Sequence, residues 1–307
     1  MAYDKQAWVN EILEGSVPVY TLKRYADNSI IDDDVLIETK NVTTEGSLLS
    51  AERMNHIEDG IAEAHVPLAN NAGAHNSVYR GISLGTSVSS AQFAAISAGT
   101  FDDMYIGDYW TIGGINWRIA GFNYYLNCGD QGAAEYNLTT PHLVIVPDTS
   151  LYDSAMNSTN TTEGGYYNSV MKQSNLATAI STINSAFGSG HVMEHRNLFV
   201  NAVADGRPSN GSWYDMTVDL MNEVNVFGAH HFSPVGDGTN IPYNYAVDKS
   251  IFPLFIARPD LQCNRQTFWL RDVVSSADFA NAYLIGNCNY SNASTSLGVR
   301  PAFCLKS

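Results

Sequence analysis

The chain is expected to fold as α+β, and three features of its sequence lead there. Strand-like runs gather at both ends of a region that begins near residue 101, with helical periodicity between them. Charged residues are only 15% of the 307, against roughly 25% in ordinary soluble domains, so Asn, Ser, Thr, Tyr and Gly carry the polarity. That profile suits hydrogen-bonding, loop-rich surfaces rather than long charged helices. No fixed-period repeat runs through the chain.

From the N-terminus, Ala7, Trp8, Ile12 and Leu13 would make one or two helical turns. Asp32-Asp33-Asp34 reads as a solvated turn and Val35-Leu36-Ile37 as a strand. A helix is expected to start near Ser47 or Ser50. Along it Met54, Ile57, Ile61 and Ala64 recur at intervals of 3, 4 and 3, flanked by Glu58, Asp59 and Glu63. With fewer than three heptads, this seam fits either a helix lying on its own domain or a short oligomerising helix through Met54, Ile57 and Ile61. Pro67 is expected to end it. Residues 1 to 65 hold 13 of the 31 acidic residues, which fits either plain solubility or a boundary near residue 65 between unlike modules.

Small polar residues over 66–90 read as a linker, and Ala91 to Ala98 as a short helix before Gly99. Beyond it, Tyr109 to Phe122 reads as two strands around the Gly113-Gly114 turn, and His142 to Pro147 as a short apolar strand. Helices are expected over Ser169 to Phe187 and Thr217 to Val224. The closing strands are Thr267 to Arg271, Ala280 to Ile285 and Gly298 to Leu305. The expected organisation is therefore an N-terminal module over 1–66, a linker with a short helix over 67–100, and one large domain over 101–307.

Charge and motifs exclude several functions. A net charge of −15 repels phosphate backbones, so nucleic acid is not an expected partner. No run of about 18 apolar residues exists, so no membrane insertion is expected. Met1 to Asn10 leads into no apolar core of a secretion signal. Cys128, Cys263, Cys288 and Cys304 form no CxxC or CxxH pair, and free, mostly buried thiols are expected. There is no GxSxG, HExxH or P-loop. His191 and His195 stand four apart beside Glu194 but lack the metalloprotease order, and His230-His231 is the other histidine pair. Asp102, Asp103, Asp148 and Asp153 are carboxylates with no legible pairing. No catalytic residue, metal or cofactor is expected, and the chain does not read as an enzyme.

The C-terminal stretch is distinctive. Across the 27 residues from Val273 to Val299 the only charge is Asp278, while four Asn, five Ser and two Tyr make up 11 positions. Tyrosine offers stiff amphipathic area and Asn and Ser adaptable hydrogen bonds, the chemistry of antibody binding loops. Packed strands on either side would hold such a segment as one binding face. Trp213-Tyr214, after Asn210-Gly211-Ser212, and Tyr243 with Tyr245 are polar-aromatic patches that would join it or simply pack locally.

Phe268-Trp269-Leu270-Arg271, followed by Gly298-Val299-Arg300-Pro301-Ala302-Phe303, resembles the end of a C-type-lectin-like domain, related in fold to formylglycine-generating enzymes and found in tail proteins of phages that infect Gram-positive gut bacteria. Asp108-Tyr109-Trp110 with Ile115 to Ala120 resembles its opening strands. Thr44 to Ser47 with Met54 to Ile61 is similar to a segment of such phages' baseplate and fibre proteins. In many relatives a diversity-generating retroelement rewrites adenine-rich codons near the C-terminus, and Ala277 to Ser296 matches that position and composition. The resemblance implies ligand contacts at Asp278, Asn281, Tyr283, Asn287, Asn289, Tyr290 and Asn292, and framework roles for Trp269, Arg271, Gly298 and Arg300, with Arg300 a buried or half-buried, hydrogen-bonded anchor.

It further implies a homotrimeric virion adhesin, assembled in the host cytoplasm, docked to other tail or baseplate proteins and binding a bacterial surface protein or glycan. No acidic run of the calcium-dependent lectins is present, and no active-site cysteines of the related enzymes are assignable. The competing expectations are a tail enzyme degrading cell-wall or capsular polysaccharide, which needs paired carboxylates in a cleft, and a structural baseplate component.

Overall fold

The computed structural model describes residues 20–23, 30–35, 51–70, 72–130, 138–204, 207–233, 244–245 and 250–307. The chain divides into two units, Tyr3–Val66 and Pro67–Ser307. In the first, β1 (Tyr20–Lys23) pairs antiparallel with β2 (Ile30–Val35). The three aspartates Asp32 to Asp34 thus lie in a strand, not the expected turn, because their backbone groups pair across the hairpin. The turns expected over Ala7 to Leu13 lie outside the described residues. Helix α1 (Ala51–Asn70) runs through Pro67 rather than ending there. Proline removes one intrahelical hydrogen bond, here within the last turn of the helix.

The segment expected as a linker is folded. Helix α2 (Ala72–Ser77) buries His75 completely, its Nδ1 2.5 Å from the Met104 carbonyl, and β3 (Ser83–Gly85) pairs with β4 (Tyr109–Ile112). Arg80 and Asp108 explain the docking. Wholly buried Asp108 accepts bonds from Arg80 and from the Ile82 and Tyr105 amides, so a residue from the small, polar segment neutralises a core carboxylate. Helix α3 (Ser90–Ala98) opens with a Ser89–Gln92 capping box and closes at Gly99 in the left-handed conformation.

Gly113 and Gly114, at φ 63° and 78°, make the tight turn from β4 into β5 (Ile115–Phe122), where only glycine adopts such angles freely. β6 (Gly129–Asp130) is short, and β7 (Leu143–Pro147) is buried at every residue. β8 (Tyr152–Ala155) precedes a π-helical turn (Met171–Asn175) and α4 (Ala177–Phe187), so the expected helix over 169–187 forms in two pieces. β9 (Val192–Met193), the hairpin of β10 (His195–Ala204) and β11 (Arg207–Met216), and β12 (Val218–Leu220) follow.

A helix expected over Thr217 to Val224 is instead β12 plus α5 (Glu223–Phe227), because Val218 to Leu220 ladder onto the C-terminal strand and Asn222 caps a new helix. β13 (Asn244–Tyr245) pairs with β6, and α6 (Pro253–Ala257) leads to β14 (Phe268–Val273), β15 (Asp278–Ala282), β16 (Cys288–Asn292), β17 (Ser296–Val299) and β18 (Pro301–Leu305).

Two sheets organise this unit. One runs β12-β18-β7-β5-β4-β3, with β9 also on β18; the other runs β16-β15-β14-β17-β8. Trp110, Trp117, Ile145 and Phe303 lie in the larger of two apolar clusters, and Trp269, Phe279, Val299 and Phe199 in the smaller. Arg300 stands between β17 and β18, 1% exposed, donating to the carbonyls of Pro147, Leu261 and Gln262. The fold is α+β. All four cysteines are free and buried. Among the described residues no helix is long and apolar enough to cross a membrane.

Candidate ligand-binding face

The uncharged C-terminal stretch is a hairpin rather than an open loop. β15 and β16 pair in register from Asp278 opposite Asn292 to Ala282 opposite Cys288, with β16 last in its sheet among the described residues. Because strand side chains alternate, the pleat divides the expected contact residues between two faces. Asn281 and Asn289 share one face with Phe279, while Asp278, Tyr290 and Asn292 share the other with Ala280. Tyr283 and Asn287 close the turn through the Tyr283 N–H to Asn287 carbonyl bond.

Asn281 corrects the expectation of a single exposed face. It is 1% exposed, with its amide nitrogen donating to Ser291 Oγ. Its face packs toward the smaller apolar cluster that holds Phe279, which takes it out of reach of a ligand. Asp278 is half-buried and tied down, accepting from Ser275 Oγ and from the Asn292 amide, and so acts as a clasp for the hairpin. Asn287, Tyr290 and Asn292 remain exposed, with Tyr290 at 46%. Leu284 and Ile285, at the turn, are exposed at 43% and 73%.

Trp213 and Tyr214, the other expected pair, are divided between the two faces of β11. As neighbours on β11 they face opposite ways: Trp213 packs on the larger core cluster, and Tyr214 stacks on Tyr167 at 3.5 Å and lies against Phe199. Both are half-buried and serve packing. Tyr243 lies outside the described residues, and Tyr245 belongs to β13. On α1, Ile57 and Ile61 are exposed at 51% and 37%, and Met54 is half-buried.

A second segment reaches the Tyr290 face, and of its residues the sequence singled out only the His230-His231 pair. Glu223, wholly buried at the first residue of α5, accepts the backbone N–H groups of His231, Phe232 and Ser233 and the Ser233 hydroxyl. This carboxylate therefore holds the turn after α5 in place, and Phe232 meets Tyr290 edge to face. Burial pushes the Glu223 carboxyl up, but bonds from Ser233, His231, Phe232 and Cys288 outweigh it and hold the group below its ordinary range. The Cys288 thiol lies 3.3 Å from Glu223 Oε1 and is pushed up by burial and by that negative charge. Such a thiol is not nucleophilic. A lone acid among Met221, Val224, Val226 and Phe227 was the available signal.

No family model, curated protein or solved structure matches the chain. The functional reading therefore rests on this geometry and on the local sequence resemblance. The face combines two exposed rings, a turn with two exposed aliphatic residues, and amides at Asn287 and Asn292. Its strands are laddered from Asp278–Asn292 to Ala282–Cys288, and Glu223 holds the adjoining turn. Such a surface can bind, through apolar contact framed by hydrogen bonds.

Proposed function

We propose that the protein is a phage tail-tip adhesin, non-enzymatic, whose Pro67–Ser307 unit is a C-type-lectin-like domain that binds a bacterial surface protein or glycan through the β15–β16 hairpin. One observation carries the reading. Of the large hydrophobic side chains exposed on the described residues, Leu284, Ile285 and Tyr290 belong to this hairpin and Phe232 touches it. Monomeric proteins seldom expose apolar groups in this concentration without a partner. The near absence of charge keeps the cost of desolvating that face low. Exposed Ile57 and Ile61 on α1 support a homotrimer that docks to other tail proteins, and several copies would strengthen weak single contacts by avidity. The composition of Ala277 to Ser296 supports codon diversification there, which the buried Asn281 would escape.

Labelled protein incubated with a panel of Gram-positive gut isolates tests the reading. Strain-selective binding is expected, lost in the Tyr283→Ala, Asn287→Ala, Tyr290→Ala triple variant at an unchanged melting temperature. Binding to no strain, or equal binding by the folded variant, would sink it.

A further inference from the structure

Three chain segments bring metal-binding atoms to one spot beside the hairpin without sharing a sequence motif. Glu223 opens α5, His230 follows it beyond Gly228, and Asp272 comes from β14. One ligand atom from each lies within 4.8 Å of the other two. His230 Nδ1 is 3.8 Å from Glu223 Oε2. We propose that this triad binds a divalent transition-metal ion of the zinc class, with Glu223, His230 and Asp272 as its protein ligands.

The donor set argues for the class of ion. An imidazole nitrogen with two carboxylate oxygens suits zinc, whereas calcium and magnesium take oxygen donors. Zinc bonds of about 2.0 to 2.2 Å place tetrahedral ligand atoms about 3.4 Å apart, so the 3.8 Å pair is close to the required separation. The remaining closure falls to groups able to move: His230 is exposed and Asp272 half-buried, while Glu223 is fixed. Burial therefore grades from a rigid floor at Glu223 to an open mouth at His230, which gives an ion a path from solvent.

Ser233 marks the place. Its Oγ lies 2.5 Å from Glu223 Oε2 and 2.9 Å from His230 Nδ1, bridging two of the three ligands. An ion would displace that hydroxyl or take it as a further ligand. The backbone N–H groups of His231 and Phe232 already orient the Glu223 carboxylate, as outer-shell donors do around bound metals. The Glu223 N–H donates to Asp272 Oδ2 at 2.6 Å, which orients the second carboxylate. Occupancy would pin the 230–233 turn, and with it Phe232, beside Tyr290. The inference does not depend on the receptor reading, since the ion would bind in the isolated protein.

The full chain, stripped with a chelator, is titrated with Co2+ alone and followed by visible absorption, then with Zn2+ in competition. Saturation at one Co2+ per chain is expected, with Zn2+ displacing it and raising the melting temperature. His230→Ala and Asp272→Asn should each weaken binding by about tenfold or more, as loss of a metal-orienting group does. His191→Ala, on an unrelated histidine, should leave binding unchanged. Because His230 is exposed, its variant keeps the fold and the comparison stays decisive. Absence of saturable Co2+ binding, or equal affinity in the His230→Ala protein, overturns the proposal.

Discussion

The ring of Phe232 meets that of Tyr290 edge to face, with centroids 5.1 Å apart, and the contact joins the turn after α5 to the outer strand of the C-terminal hairpin. Both rings are nearly half exposed, so their pairing contributes little to global stability. Phe232→Ala and Tyr290→Ala should each cost less than about 1.5 kcal/mol, with a coupling between them of about 0.5 to 1.5 kcal/mol. Urea denaturation of the two single variants and the double variant measures this directly. A coupling near zero would mean that the rings do not hold the turn.

Glu223 carries more. Its carboxylate accepts three backbone N–H groups from one turn, and no neutral side chain can accept all of them. Glu223→Gln should therefore destabilise the protein by about 2 to 4 kcal/mol, since it leaves buried donors unsatisfied and weakens charge-assisted bonds. Amide exchange at His231, Phe232 and Ser233 should accelerate more than elsewhere. Uniform acceleration across the fold would contradict a local role.

Arg300 donates to three carbonyls from separate segments, at Pro147, Leu261 and Gln262. A lysine ammonium is a compact point charge and lacks the planar fork that spans them. Arg300→Lys should cost about 3 to 5 kcal/mol, as when a buried charged group loses its partners. The melting temperature of the purified variant reports it. A change within experimental error would show that the three carbonyls find other donors.

Two interior histidines should make the fold acid-sensitive. His142 donates from Nδ1 to the Thr140 carbonyl and accepts the Tyr125 N–H at Nε2, a bonding pattern that requires the neutral ring. Burial pushes both His142 and His195 down from 6.5 to about 4. Their unfolded forms bind protons first as pH falls, so the unfolded state gains between pH 6.5 and 4. Stability should be fully present above pH 6.5 and fall by about 3 kcal/mol for each histidine by pH 4. Denaturation midpoints across that range, with His142→Gln for comparison, test the sign and the source.

Gly298 lies where β17 meets β14, and a methyl group there would fall 2.2 Å from Ser150 Oγ and 3.0 Å from the Thr267 carbonyl. Gly298→Ala should cost about 1 to 3 kcal/mol through forced separation of the strands. Relief by the double variant Gly298→Ala with Ser150→Gly would locate the clash.

Elements dominated by local pattern were legible in the sequence. The Gly113-Gly114 turn and the apolar run Leu143 to Pro147 depend on nearby residues alone. Elements decided by distant partners were misread. Residues 72–90 look like a linker because they are small and polar, yet Arg80 finds Asp108, and His75 the carbonyl of Met104, only in the folded chain. Val218 to Leu220 have no strand signal until β18 lies beside them.

Residue pattern and composition by themselves determined that the protein is α+β, poor in charge, and carries an amide- and tyrosine-rich stretch free of charge except at Asp278. Tertiary structure alone decided which of those residues face outward, because pairing β15 with β16 sends neighbours to opposite faces and buries Asn281 while exposing Tyr290. It also brought Glu223, His230 and Asp272 together. Contacts between residues 49 apart, as at Glu223 and Asp272, arise from chain reversal and packing, which no local spacing encodes.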